Sequence, residues 1–299
     1  DGYQKFGDTM IRCSIYPRAH GTETLSDLIK HSCNDGLMQI GALLGPEEFL
    51  KYQKIFNFGS TTGIDLPGEA TGILHSEENL SSGSTELASA SFGQGYTCTM
   101  LQEIAAICSA INGGYYYQPH VVSKIMNEDG DVIKDIQPVV TKQTVSSDVS
   151  ALIRQYMGAV MESDGTGATA KVDGYSMGGK TGTAQKYPRE DKKYLVSFIG
   201  FAPLDDPQVV VYVVVDEPNA EYQADSLYAQ YLYKGIMTEI LPYLNIFQDE
   251  EVTDKTNAKM SYLEELINQK VESTGQSDSA DDTATAAPPE DDSETTLNN

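Results

Sequence analysis

The chain has 299 residues, and 40% of them are hydrophobic, which is enough for a sizeable buried core in one large or two small domains. Its formal net charge of -24 argues against a nucleic-acid partner, because phosphate contacts need lysine and arginine. No stretch reaches the apolar length of a membrane span or has the pattern of a signal peptide.

The first third of the chain is predicted to be mainly helical. A short apolar stretch at 10–16 is typical of a strand. We interpret Thr22 as the N-cap of the first helix, and Pro46 as the first residue of the third. The spacing of apolar residues predicts three helices here: 22–31, 37–44 and 46–56.

The middle of the chain alternates loops with regular elements. Residues 58–72 are loop-like, and the small polar residues of 81–91 indicate no element. Strands are predicted within 115–136, around a turn at 128–131. Apolar spacing predicts two helices in this part: 99–111 and 147–161.

The last structured part is predicted to be rich in strands. Two β-branched runs, 195–202 and 209–215, are joined by a short turn, which favours an antiparallel hairpin. A helix is predicted over 226–241. Antiparallel strands with helices on both faces are typical of an α/β or α+β sandwich.

The end of the chain, 249–299, carries fourteen acidic and three basic residues. Within it, 260–271 is consistent with a short amphipathic helix, and 273–299 has the composition of a disordered segment. We therefore expect one domain over 1–248 and an acidic, mostly disordered tail over 249–299. The tail is expected to be a solvated terminus, with a partner contact as the alternative.

The cysteines and histidines indicate no metal site and no cofactor. The four histidines are scattered singly, and no two cysteines have C-x-x-C spacing. We interpret the cysteines as small buried residues, Cys33 included, with a disulfide as the alternative in an oxidising compartment. The four cysteines are Cys13, Cys33, Cys98 and Cys108.

Two short motifs carry the chemistry. The stretch from Gly178 to Gln185 contains Lys180-Thr181-Gly182-Thr183, which offers an ammonium and two hydroxyls to a carboxylate-bearing substrate lying along a strand. Ser32-Cys33-Asn34 lies at the junction of two predicted helices, where a hydroxyl can relay a proton and an amide can bind a peptide. Each motif is weak alone, and the ordered pair is more specific.

The pair resembles the S-D-N and K-T-G motifs of β-lactamases and penicillin-binding proteins. Further stretches resemble the transpeptidase domain of class B penicillin-binding proteins, in the same order, over residues 1–245. These are His20-Gly21, Thr62-Gly63-Ile64-Asp65-Leu66-Pro67-Gly68-Glu69, Ser91-Phe92-Gly93-Gln94-Gly95, Leu101-Gln102, Asn112-Gly113-Gly114 and Gly165-Thr166-Gly167-Ala168.

The resemblance implies a β-lactamase/transpeptidase-like α/β fold, with an antiparallel sheet flanked by helices. It implies a peptidoglycan D,D-transpeptidase, an acyltransferase that cross-links stem peptides through a serine acyl-enzyme and is acylated by β-lactams. It also implies a place on the extracytoplasmic face of the cell membrane, with proteins of cell division or elongation as partners.

The resemblance also implies roles for residues of this chain. Ser32 belongs to the proton relay to the leaving amine, and Asn34 bonds the substrate amide. Lys180 supplies positive potential to the relay and to the substrate carboxylate. The two threonine hydroxyls bind the substrate carboxylate, the second threonine gives a backbone N–H to the oxyanion hole, and the glycine keeps the strand edge clear. The substrate-binding residues are Thr181, Gly182 and Thr183.

The chain departs from the family pattern at the nucleophile. No lysine has a serine three residues before it, so the S-x-x-K motif is missing. The chain also begins at Asp1 rather than methionine, and we expect an N-terminally truncated enzyme that is inactive alone. The alternative is a non-catalytic peptidoglycan- or partner-binding module of the same fold. A β-lactamase would need a deacylating base, and no local motif suggests one.

Overall fold

A computed structural model describes residues 2–83 and 85–252. Their helices are Leu25–Lys30 (α1), Asn34–Leu44 (α2), Pro46–Ile55 (α3), Glu77–Ser81 (α4), Glu86–Ser91 (α5), Met100–Ile111 (α6), Ser147–Ala159 (α7) and Leu227–Tyr243 (α8). Their strands are Tyr3–Phe6 (β1), Thr9–Arg12 (β2), Tyr115–Tyr117 (β3), Lys124–Met126 (β4), Val132–Asp135 (β5), Val140–Gln143 (β6), Gly178–Gln185 (β7), Tyr194–Ala202 (β8) and Val209–Asp216 (β9).

The largest sheet is the antiparallel arrangement β7-β8-β9. The predicted hairpin is confirmed as β8 and β9, with Val196 opposite Val215. Strand β7 is the outer strand, and it pairs with β8 alone among the described residues. Its other edge therefore presents backbone groups that no described strand pairs.

Helices cover both faces of this sheet, as the sequence predicts. Phe198 and Phe201 are three positions apart on β8, so their side chains point to opposite faces. Phe198 packs with the fully buried Tyr233 of α8, and their ring centroids are 4.7 Å apart. Phe201 packs with Ile111 of α6 and Met157 of α7. The mixed fold class is confirmed.

The first helix begins two residues later than predicted. Thr24, rather than Thr22, is the N-cap of α1, because Asp27 stands three residues after it. The Thr24 hydroxyl accepts from the Asp27 N–H at 3.2 Å, and the Asp27 carboxylate accepts from the Thr24 N–H at 3.1 Å. Both backbone donors are satisfied, so this capping box fixes the start of the helix.

Four elements were not predicted: β1, α4, α5 and β6. Helix α5 lies within the stretch that appeared only small and polar and buries Ala88 and Ala90, and α4 ends at the first residue of that stretch. Alanines give a weak hydrophobic signal, which explains the miss. Strand β6 pairs with β3 but is largely exposed, so its residues show no clear alternation of apolar and polar side chains. Where a strand is predicted at 10–16, the structure has β2 at Thr9–Arg12, so the observed strand ends earlier than predicted.

The predicted loop 58–72 is held by one buried glutamine. Gln102 of α6 is fully buried, and its Nε2 donates to the Ser60 and Thr71 carbonyls at 2.6 and 2.8 Å. Its Oε1 accepts from the Thr99 N–H at 2.8 Å. Across the loop, Glu69 accepts from the Thr62 N–H at 2.5 Å. Hydrogen bonds from side chains therefore satisfy backbone groups of this segment that regular secondary structure would otherwise pair.

The first residues of the predicted tail contact the folded body. Asp249 accepts from the Ser176 N–H at 2.6 Å, and Glu250 forms an ion pair with Lys171 at 2.6 Å. The predicted helix at 260–271 and the predicted disorder at 273–299 lie outside the described residues. No helix within the described ranges combines the length and the apolar character needed to cross a bilayer.

We expect Gln102→Ala to lower the free energy of unfolding by about 2–3 kcal/mol, because two carbonyls and one N–H lose a buried partner. Urea denaturation would measure the change. The exposed Gln137 is the matched control, and Gln137→Ala should change stability by less than about 0.5 kcal/mol. Equal effects of the two substitutions would contradict the role given to Gln102.

Candidate active site

The two motifs meet in space, although 148 residues separate them. Lys180 lies on β7, and Ser32 lies in the short connection between α1 and α2. The Lys180 Nζ donates to the Ser32 Oγ at 2.8 Å. This contact brings an ammonium group and a hydroxyl together beside the edge of β7 that no described strand pairs.

The backbone at Ser32 directs its hydroxyl toward the strand. Ser32 has φ 55°, a left-handed conformation that is uncommon for a residue other than glycine. The Cys33 N–H donates to the Leu28 carbonyl at 3.0 Å, and the Ser32 N–H to the Ile29 carbonyl at 3.3 Å. These two bonds form the Schellman ending of α1, in which the left-handed position usually holds glycine. A strained serine therefore stands beside Lys180.

Asn34 is the first residue of α2, directly after Cys33. Its Nδ2 donates to the Arg12 carbonyl at the end of β2, at 3.2 Å. This hydrogen bond ties the start of α2 to the N-terminal hairpin. The side chain is part-exposed, on the same connection that carries Ser32.

The Lys180 ammonium is partly buried and bonded to neutral groups. Besides Ser32, its Nζ donates to the Thr181 carbonyl at 3.0 Å and lies 3.4 Å from the Thr181 Oγ1. Burial lowers the pKa of Lys180 to about 8. An ammonium with this pKa loses and regains its proton near neutral pH, which suits a proton relay.

The other residues of the β7 motif differ in their surroundings. Thr183 is exposed, whereas Thr181 and Gly182 are half-buried. Gly182 lies opposite Ser197 of β8, and a Cβ at position 182 would overlap the Ser197 Oγ. Glycine at this position therefore leaves room for the Ser197 hydroxyl, which a larger residue would displace.

Thr166 also belongs to this site, a role that the sequence analysis did not assign. Its Oγ1 donates to the Lys30 carbonyl at 3.0 Å, and it accepts from the Thr181 Oγ1 at 3.4 Å. Its own carbonyl accepts from Gln230 of α8 at 3.1 Å. Thr166 thus connects the end of α1 to β7 and α8. The only signal in the sequence is a threonine between two glycines.

Lys30 strengthens the same connection. Its side chain is 11% exposed, and its Nζ contacts Glu162 at 2.6 Å and Asp164 at 2.7 Å. Hydrogen bonds to these carboxylates raise the pKa of Lys30. The last turn of α1 is therefore joined to the segment after α7 by charge as well as by Thr166.

Beside Ser32, the structure gathers cysteines and histidines that are scattered in the sequence. Cys13 and Cys33 are buried, as predicted, in a cluster with Leu28. Cys98 is exposed, so the prediction of burial is wrong there. Donor atoms of Cys13, His20 and Cys33 lie within 4.8 Å of one another. Distances along the sequence do not reveal this grouping.

Comparison with known proteins identifies relatives of this site and fold. A family model described as the penicillin binding protein transpeptidase domain matches residues 2–238. Stage V sporulation protein D of Bacillus subtilis is 41% identical over 252 residues, which are 82% of this chain and 38% of that protein. Peptidoglycan D,D-transpeptidase FtsI of Buchnera aphidicola is 30% identical over 233 residues, which are 77% of this chain and 39% of that protein. This chain thus spans less than two fifths of either relative.

Solved structures agree with these sequence matches. The crystal structure of penicillin-binding protein 3 from Mycobacterium tuberculosis, complexed with ampicillin, gives a TM-score of 0.73 at 27% identity, covering 84% of this chain and 57% of that one. The transpeptidase domain of penicillin-binding protein 3 from Burkholderia pseudomallei gives 0.72 at 26% identity, covering 84% and 72%. The predicted β-lactamase/transpeptidase-like fold is confirmed.

We expect Thr166→Val to lower the free energy of unfolding by about 1 kcal/mol, because the hydrogen bond to Lys30 is lost while the shape is kept. Urea denaturation would measure the change. The matched control is Thr238→Val on the exposed face of α8, where we expect less than about 0.5 kcal/mol. A larger effect at Thr238 than at Thr166 would contradict the bridging role.

The lowered pKa of Lys180 predicts a pH dependence of stability. The folded protein holds this proton less tightly than the unfolded chain, whose lysine pKa is 10.5. Between about pH 8 and 10.5 the unfolded chain binds more protons, so the contribution of Lys180 to the free energy of unfolding rises with pH. In Lys180→Met this rise should be smaller.

Urea denaturation at several pH values would measure both slopes. The exposed Lys134 provides the control, and Lys134→Met should keep the wild-type slope. If Lys180→Met and the wild type showed the same slope over this range, the lowered pKa of Lys180 would be wrong.

Proposed function

This chain belongs to the penicillin-binding protein transpeptidase family, and from that premise we propose that it carries the proton-relay and substrate-binding half of a peptidoglycan D,D-transpeptidase. The observation that supports the proposal is the hydrogen bond from Lys180 to Ser32, beside a strand edge that bears Thr181 and Thr183 and pairs with no strand in the described part of the chain. A module that only bound peptidoglycan would have no chemical need for such a relay.

In the proposed reaction, the carbonyl of a stem peptide is attacked by a serine, and the amine of its last residue leaves. Lys180 and Ser32 pass a proton to that amine, because the lysine pKa of about 8 allows transfer near neutral pH. Lys180 then has the additional effect of stabilising negative charge that develops close to it. A second stem peptide takes the acyl group by its own amine, which makes the cross-link.

Substrate binding is proposed for the edge of β7. A peptide lying along an unpaired strand edge forms main-chain hydrogen bonds with it. The hydroxyls of Thr181 and Thr183 then bind its terminal carboxylate, and the backbone N–H of Thr183 supplies half of the oxyanion hole. Gly182 leaves room for this approach, and Asn34 bonds the peptide amide from the side of α2.

The nucleophile is proposed to lie outside these 299 residues, since the sequence contains no S-x-x-K. We therefore expect no acyl-enzyme on this chain alone. We further propose that the protein lies on the extracytoplasmic face of the membrane, which its family membership supports. Stem peptides and β-lactams are its proposed ligands, and proteins of cell division or elongation its proposed partners. The acidic stretch 249–299 is proposed to be a tail beyond the domain.

A fluorescent penicillin tests the proposal. We expect covalent labelling of the product of the complete gene and no stoichiometric adduct on the 299 residues alone. In the complete product, Lys180→Ala should slow acylation on the order of 10²–10³-fold, because the relay and its positive charge are lost. Gel fluorescence against time gives the rate.

Lys186→Ala is the matched control, since Lys186 follows β7 directly but forms exposed ion pairs with Asp216 and Glu217. It should leave the labelling rate within about twofold, as surface pairs contribute little. A complete product that stays unlabelled but binds stem peptides would favour the non-catalytic module. A stoichiometric adduct on the isolated chain would show that its nucleophile lies within these residues.

A further inference from the structure

A group of metal-binding side chains lies directly behind Ser32. The donor atoms of Cys13, His20 and Cys33 lie within 4.8 Å of one another, and so do those of His20, Glu23 and His31. His20 belongs to both sets, so the two sets form one continuous group. The Cys13 Sγ is 3.7 Å from the His20 Nδ1.

The group is enclosed on its thiol side. Cys13 and Cys33 are 3% and 6% exposed, and the Glu23 side chain is 9% exposed. Buried carboxylates are normally paired or bound to a metal, and thiolates, imidazoles and carboxylates are the side-chain groups that bind zinc.

The local fold holds these donors in place. Cys33 is the N-cap of α2, where the helix dipole favours a negatively charged thiolate. The rings of His20 and His31 are stacked, with centroids 5.4 Å apart and planes within 5°. The His31 Nδ1 is 2.6 Å from a Glu23 carboxylate oxygen, as in the carboxylate–histidine pairs that orient metal ligands. Simple packing of cysteines against Leu28 does not require these polar partners.

We propose that Cys13, His20, Cys33 and Glu23 bind one zinc ion, with His31 orienting Glu23. Two thiolates, one imidazole and one carboxylate suit a tetrahedral ion of borderline softness. Zinc bonds of 2.0–2.3 Å hold such donors about 3.3–3.8 Å apart. The separation of Cys13 and His20 already meets this value, and the donors of Cys13, His20 and Cys33 need to close by about 1 Å at most. Glu23, whose carboxylate lies within 4.8 Å of a His20 ring nitrogen, would approach the ion from that side.

The ion would act on the serine of the candidate active site through the backbone. Ser32 stands between His31 and Cys33, and both belong to the group. Ligation on one side and the Glu23 contact on the other would hold Ser32 in its left-handed conformation, facing Lys180. The metal would be structural, with all four positions filled by protein, and would not contact substrate.

Cobalt(II) substitution tests the site on the whole 299-residue chain, kept reduced by a phosphine, with no measurement of turnover. We expect one equivalent of Co²⁺ to bind, with thiolate-to-cobalt charge-transfer absorption and a tetrahedral d–d spectrum, and Zn²⁺ to displace it. Cys13→Ser should halve the charge-transfer absorption per bound cobalt and weaken binding at least tenfold, because one of two thiolates is lost. His20→Asn should weaken binding but keep the charge-transfer band.

Cys98→Ser is the matched control, because Cys98 is a cysteine outside the group. It should keep the wild-type spectrum and affinity. Circular dichroism of each metal-free variant shows whether it folds. A wild-type chain that takes up no cobalt while its four thiols remain reduced would overturn the proposal. So would a cobalt spectrum that Cys13→Ser leaves unchanged or that Cys98→Ser abolishes.

Discussion

The hydrogen bond between Lys180 and Ser32 is the contact on which the candidate site depends, because it joins a strand to a helix connection 148 residues away. Both partners are fixed by other parts of the fold. The strand is held by a sheet with helices on both faces, and the serine by the Schellman ending of α1. Thr166 and Lys30 then join the two regions a second time, so the geometry of the proposed relay is supported from both sides.

Much of this fold could be predicted from the sequence, because its main elements are long and strongly patterned. The β-branched runs of β8 and β9 and the apolar faces of α6 and α7 gave clear signals. The short helices α4 and α5 did not, since alanines and serines supply little hydrophobic contrast. The N-cap of α1 shows how one residue decides a boundary: Asp27 completes a capping box with Thr24 rather than Thr22.

The site was predictable only as two separate motifs. Residue types suggested Lys180 and Ser32 as site residues. The short distance between them, and the burial that lowers the pKa of Lys180, can be seen only in the folded structure. Thr166 stood in one of the family-like stretches, but its role could not be assigned, because its main partner is a backbone carbonyl 136 positions away. The same holds for Cys13, His20 and Cys33, whose spacing matches no common metal motif although a turn and a helix start place their donors together.

The left-handed backbone at Ser32 affects which residue is most stable at this position. Glycine adopts such a conformation without strain, whereas serine loses on the order of 1 kcal/mol there. Selection for stability alone would therefore drive the codon toward glycine. The proposed role of the Ser32 hydroxyl beside Lys180 would offset that loss of stability. Strain alone does not identify such a role, since Asn57, Lys192, Glu217 and Asn245 also have positive φ.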